Sequence, residues 1–100
     1  MPYLPDTAPA PSPVIGRARA VLLILEHAQR LDLPMPFHVN VTDYSAPSML
    51  FDSLGDLAQW ALWIGATVSE EPYKDQVHHV AEGDALDHPV RLTRVEQATR

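Results

Sequence analysis

The residues of this chain best suited to chemistry are its histidines with acidic neighbours. His38, His78, His79 and His88 fall in or beside stretches of strand-like pattern, and Glu82 and Glu96 lie close to them in sequence. Imidazole nitrogens and carboxylate oxygens are the donors of zinc and iron sites, which need three such groups converging at about 2 Å. His78 and His79 are adjacent, so in an extended strand their side chains leave on opposite faces and do not readily share one ion. The set that could meet across a sheet is His38 with His78 or His79 and Glu82, which would make a small metal- or ligand-binding module. No H-x-H or H-E-x-x-H spacing accompanies them, and the alternative is a set of ordinary histidines on a polar sheet face.

Other catalytic patterns are missing from the sequence. Ser45, Ser48, Ser53 and Ser69 have no nucleophile-elbow context, and Asp43-Tyr44-Ser45 reads as a turn in which Asp and Ser bond the backbone. Asp84 and Asp87 do not form a calcium loop of the helix–loop–helix type. The four glycines are too scattered for a phosphate cradle, and the absence of cysteine removes thiolates and disulfides together. Asn40-Val41-Thr42 matches a glycosylation acceptor, but no export signal accompanies it. The expectation is a non-enzymatic protein without a cofactor.

The elements that would position any site are easier to read. Residues 53–65 form a complete helix signal: Ser53 as N-cap, Asp56 near the positive helix end, and Gly65 as the left-handed stop. Leu54, Leu57, Ala58, Ala61 and Leu62 follow helical spacing and predict the buried face. On that wheel Trp60 falls at the edge of the core. Trp63 falls nearly opposite it, either covered by another element or exposed as an interface anchor. An earlier helix begins at Ser12-Pro13, carries the stripe Val14, Ala18, Val21, Leu22, Leu25 and Ala28, widens at Leu23 and Ile24, and ends near Asp32 before Pro34-Met35-Pro36.

Phe37 to Thr42 alternates as a strand, and Ser48 to Phe51 is its return across the Ser45-Ala46-Pro47 turn. Three further strands are predicted at about 66–71, 76–82 and 89–96, with turns at 72–75 and 83–87. Val90 and Leu92 share a face that Val95 does not, which predicts a bulge or a strand end near Thr93. The resulting fold class is α+β: helix, β-hairpin, helix, then a three-stranded antiparallel meander. Two helices would cover one face of a mostly antiparallel sheet, and the other face, with His38, Asn40 and Thr42, would stay open. Residues 1–12 read as a proline-rich tail, 13–97 as one small domain and 98–100 as a second tail.

With 100 residues, 46% apolar and 20% charged, the composition is that of an ordinary globular chain. The longest apolar run, Ala20 to Leu25, is far short of the ~20 residues that span a bilayer, and the opening residues lack the pattern of a secretory signal. A cytoplasmic protein is expected. The net charge of −6 disfavours nucleic acid as a partner, so a regulator reading DNA through Arg17 and Arg19 is the least favoured reading. Between positions 70 and 87, six acids stand against Lys74 alone. Glu70, Glu71, Asp75, Asp84 and Asp87, together with Trp60 and Trp63, are the candidate interaction residues, for another protein or for a second copy in a homodimer.

Leu57-x-x-Trp60-Ala61-x-x-x-Gly65-Ala66, after an apolar strand and before a charged meander, resembles small uncharacterised proteins of high-GC actinobacteria and their mobile elements. The resemblance covers residues 37–95 and implies no activity. One lysine against six arginines suits such a genome. The strand–helix–three-strand order over 48–96 is also similar to the module of vicinal-oxygen-chelate proteins, whose metal ligands have no counterparts here.

Overall fold

The computed structural model describes residues 13–97, so the expected tails and the expected cap at Ser12 lie outside the described residues. Helix α1 spans Pro13–Arg30, strands β1 and β2 span His38–Asn40 and Ser48–Leu50, and helix α2 spans Leu54–Ile64. Strands β3, β4 and β5 follow at Ser69–Tyr73, Gln76–Ala85 and His88–Gln97. The fold is α+β, as the element order predicts.

The sheet order is β1-β2-β5-β4-β3. The hairpin and the meander are antiparallel, with Val39 opposite Met49, Glu70 opposite His79 and Ala81 opposite Leu92. The two units join through a parallel pair, β2 with β5, in which Met49 faces Leu92. The sheet is therefore mixed: three of its four strand pairs are antiparallel, as expected, and the parallel β2–β5 pair is the part that the short connections did not signal. A parallel pair needs a long crossover, which α2 and the β3–β4 hairpin supply together. The arrangement sends β2, β5 and β4 to the interior of the sheet and leaves Pro72 on an edge, where a residue without an N–H is tolerated.

Both helices pack on one face. Val21, Ile24 and Ala28 of α1 and Leu57, Trp60 and Ala61 of α2 form one core with Met49, Phe51, Ala81, Ala85, Val90 and Leu92. The buried stripes differ from those read off the wheels. In α1, Ile24 is in the core while Ala18 and Leu22 point outward. In α2, Leu57, Trp60 and Ala61 face inward while Leu54, Ala58 and Leu62 face out. Each helix is apolar on more than one side, so spacing alone does not set its roll.

The caps of α2 form as its sequence requires. Ser53 Oγ accepts the Asp56 N–H at 3.1 Å, and Gly65 stands at φ 70° with the Ala66 N–H returning to the Ala61 carbonyl at 2.9 Å. Strand β5 pairs with β4 without interruption from His88 to Gln97, so the irregularity expected near Thr93 is not there. The pattern changes at Thr93 for a different reason: on the helix-covered face the core ends at Leu92, and Arg94 and Glu96 follow.

Strand β4 runs through Gly83 and Asp84 to Ala85, so the turn is only two residues long. Leu86 and Asp87 both hold positive φ, 49° and 65°, the type I′ geometry that favours Asn-Gly. An L-residue in this region costs roughly 1–2 kcal/mol. Replacing Leu86-Asp87 by Asn-Gly is expected to stabilise the fold by about 1 kcal/mol. Thermal unfolding should then move up by about 4–8 °C for a domain this small, and an unchanged or lower midpoint would refute the assignment of strain to this turn.

Candidate interaction surface

The four metal-ligand candidates do not converge. His38 is exposed on the edge strand β1, separated from β4 by β2 and β5. His78 and His79 take opposite faces, and Glu82 is engaged by Arg91, with 3.2 Å between Oε2 and Nη1. Among the described residues no group of three His, Asp or Glu is placed to hold a metal ion. His79 instead lies buried on the helix-covered face, its Nε2 meeting Glu96 and its Nδ1 lying 3.8 Å from Glu70. Arg94 sits directly across from it, with its Nε buried and without a hydrogen-bond partner.

The acidic segment is continuous in sequence and divided in space. Asp75 lies in the β3–β4 turn and Asp87 in the β4–β5 turn, at opposite ends of the ten-residue strand β4 and roughly 30 Å apart. Glu70 faces His79, whereas Glu71 and Asp84 lie on the open face. Arg91 reaches from β5 to Glu82 and on to Glu71 at 3.2 Å, so its guanidinium passes above Val80. Val80 and Thr93 are buried on that face without a covering helix. Sequence reasoning missed Arg91; its signal was an arginine in the last strand, directly after the apolar pair Pro89-Val90, within pairing distance of an acidic meander.

The two tryptophans are placed unequally. Trp60 is fully buried at the centre of the core, not at its edge, and its Nε1–H donates to the Pro34 carbonyl at 2.6 Å. Phe51 lies tilted against it at 5.5 Å and Trp63 meets it edge-on at 5.4 Å. Trp63 is half-buried and stacks on His27 of α1 at 5.9 Å and 13°. Its cover is therefore found within the chain.

The apolar surface left over is elsewhere. Leu54, Ala58 and Leu62 recur every fourth residue along the outer side of α2, with Leu62 84% exposed and Leu54 41%. Ile15, Leu22 and Leu23 are exposed on α1, Leu22 by 59%. A separate apolar groove of about 380 Å³ lies at the start of α1, between Gly16, Ile24, Pro47 and Pro89; Arg17 at its rim donates to the Thr42 carbonyl at 2.7 Å. Of the residues singled out for chemistry or binding in the sequence, His88 and Arg17 line it, and none of the candidate interaction residues or the four metal-ligand candidates does.

No family model, curated protein or solved structure matches the chain. Among the described residues, no helix is long and apolar enough to cross a membrane.

The two helix sides separate by mutation. Trp60→Ala is expected to destabilise the fold by about 3–5 kcal/mol, since it empties the core and frees the Pro34 carbonyl. Leu62→Ser is expected to stay within about 0.5 kcal/mol of wild type. Denaturant titrations of the two variants at the lowest workable protein concentration check this, and a large loss from Leu62→Ser that does not change with concentration would mean that Leu62 is packed within its own chain.

Proposed function

We propose that this chain is a small non-enzymatic interaction or accessory module of the cytoplasm, one that presents the outer side of its helix layer to a protein chain. That chain is a second protein or another copy of the same one. The observation that carries the reading is α2, which is apolar outward at Leu54, Ala58 and Leu62 as well as inward at Leu57, Trp60 and Ala61. Contiguous apolar surface on a small domain marks an interaction site more often than scattered leucines do. The net charge of −6 and the acids around β3 and β4 favour a protein with basic groups over nucleic acid. A place among the accessory proteins of actinobacterial mobile elements is part of the same proposal.

Site-specific photo-crosslinking tests it. A photoreactive residue at Leu62 in the full chain, irradiated in the producing cell, is expected to give a discrete higher-mass protein adduct. The same residue at Asn40, exposed on the open face, is expected to give none. Adducts at position 40 only, or at neither position, would overturn the reading.

A further inference from the structure

The exposed side of α1 and the exposed side of α2 differ in charge, and each lies in the same layer of the same chain. Opposite its buried stripe, α1 carries Ile15, Leu22 and Leu23 with Arg19 and Arg30, against the single acid Glu26. It is a basic apolar helix face.

The complement lies on the far side of α2. This helix follows Phe51, whose N–H bonds the carbonyl of Thr93 in the middle of β5 at 3.0 Å, and it finishes over Gly83, near Ile64. Trp63 faces α1 through His27, and Leu57, Trp60 and Ala61 face the core. By helical geometry Leu54 and Ala58 then flank the side away from α1, which is the side of β3. Among the described residues no helix covers β3, whose five residues are all exposed. An apolar wall of Leu54, Ala58 and Leu62 thus stands beside the uncovered edge strand β3, whose Glu70 lies on the helix-covered face with its carboxylate near His79, and Glu96 of the central strand β5 reaches the same imidazole.

From this complementarity we infer that the occupant of this helix-layer surface is a second copy of this chain, in a two-fold dimer built through the helix layers. The inference rests on the interaction reading above and names its partner. In each protomer the outer face of α1 seats against the partner's Leu54–Ala58–Leu62 stripe, with Arg19 and Arg30 toward the partner's Glu70 and Glu96. A two-fold axis makes both contacts at once, so the assembly closes and does not grow into a fibre. Neither helix face alone has the extent of a stable interface. Together the exposed residues of α1 and α2, with Glu70 and Pro72 of β3, approach the lower end of the roughly 20–30 residues a side that such an interface takes.

Light scattering and sedimentation on the full chain test the dimer, with thermal unfolding to confirm that each variant is folded. A mass of twice 11.1 kDa is expected for wild type, weakening as salt rises. Leu22→Glu and Leu62→Glu should each give a folded monomer. Arg19→Glu and Glu70→Arg should each weaken association by about tenfold, and the double variant should recover most of that loss. A wild-type monomer at the highest soluble concentration overturns the inference, and so does a dimer unmoved by both glutamate variants. A monomer that still gives a crosslink at position 62 to a different protein also overturns it, while leaving the interaction reading standing.

Discussion

The structure depends on one buried tryptophan. Trp60 lies in the middle of the core, and its indole N–H must find an acceptor there because a buried donor without one is destabilising. It finds the Pro34 carbonyl, in the segment that joins α1 to β1. This single bond fixes the path between the first helix and the first strand, and it fixes how α2 is rolled on the sheet. Phe51 on one side and Trp63 on the other complete a run of aromatic contacts that ends at His27 of α1. This run links the two helices directly, through the stacking of Trp63 on His27.

The roll has a consequence for the surface. An 11-residue helix that turns Trp60 inward must also turn inward the positions near it on the wheel, Leu57, Ala61 and Ile64. Leu54, Ala58 and Leu62 are then driven outward although they are as apolar as the residues inside. The exposed stripe is the remainder of a helix with more apolar residues than one face can bury. Its only strongly polar members, Asp56 and Gln59, do not interrupt that stripe.

This is also why the sequence is legible in some parts and not in others. The caps of α2 are local: Ser53, Asp56 and Gly65 act within one turn, and they form as their types require. The β1–β2 hairpin and the meander join neighbours along the chain, and their pairing follows from alternation. The parallel contact of Met49 with Leu92 joins segments some forty residues apart, and no local pattern signals it. The stripes Leu57–Ala61 and Leu54–Ala58–Leu62 have the same spacing, so periodicity cannot choose between them. The bulk and single donor of Trp60 make the choice, through an acceptor that lies 26 residues away. The acids of 70–87 mislead in the opposite way, since a hairpin separates what the sequence sets side by side.

Three other routes to association are closed by the same fold. Strand β3 is an edge, yet it carries Pro72 and the charges Glu70 and Glu71, which oppose the addition of another strand. The opposite edge, β1, is three residues long and offers little ladder to extend. The uncovered sheet face is largely self-sufficient: Arg91, held between Glu71 and Glu82, screens Val80, and Thr93 is buried beside it. Such exposed ion pairs contribute only about 0–1 kcal/mol each to stability. Their effect here is to finish a surface that would otherwise be apolar at its centre. The helix layer has no equivalent finish, because no charged side chain of α2 lies along Leu54, Ala58 and Leu62. A domain of this size has a small core for its surface, so apolar area left outside is stability not yet realised. Docking of the helix layer on another chain, as proposed above, would realise it.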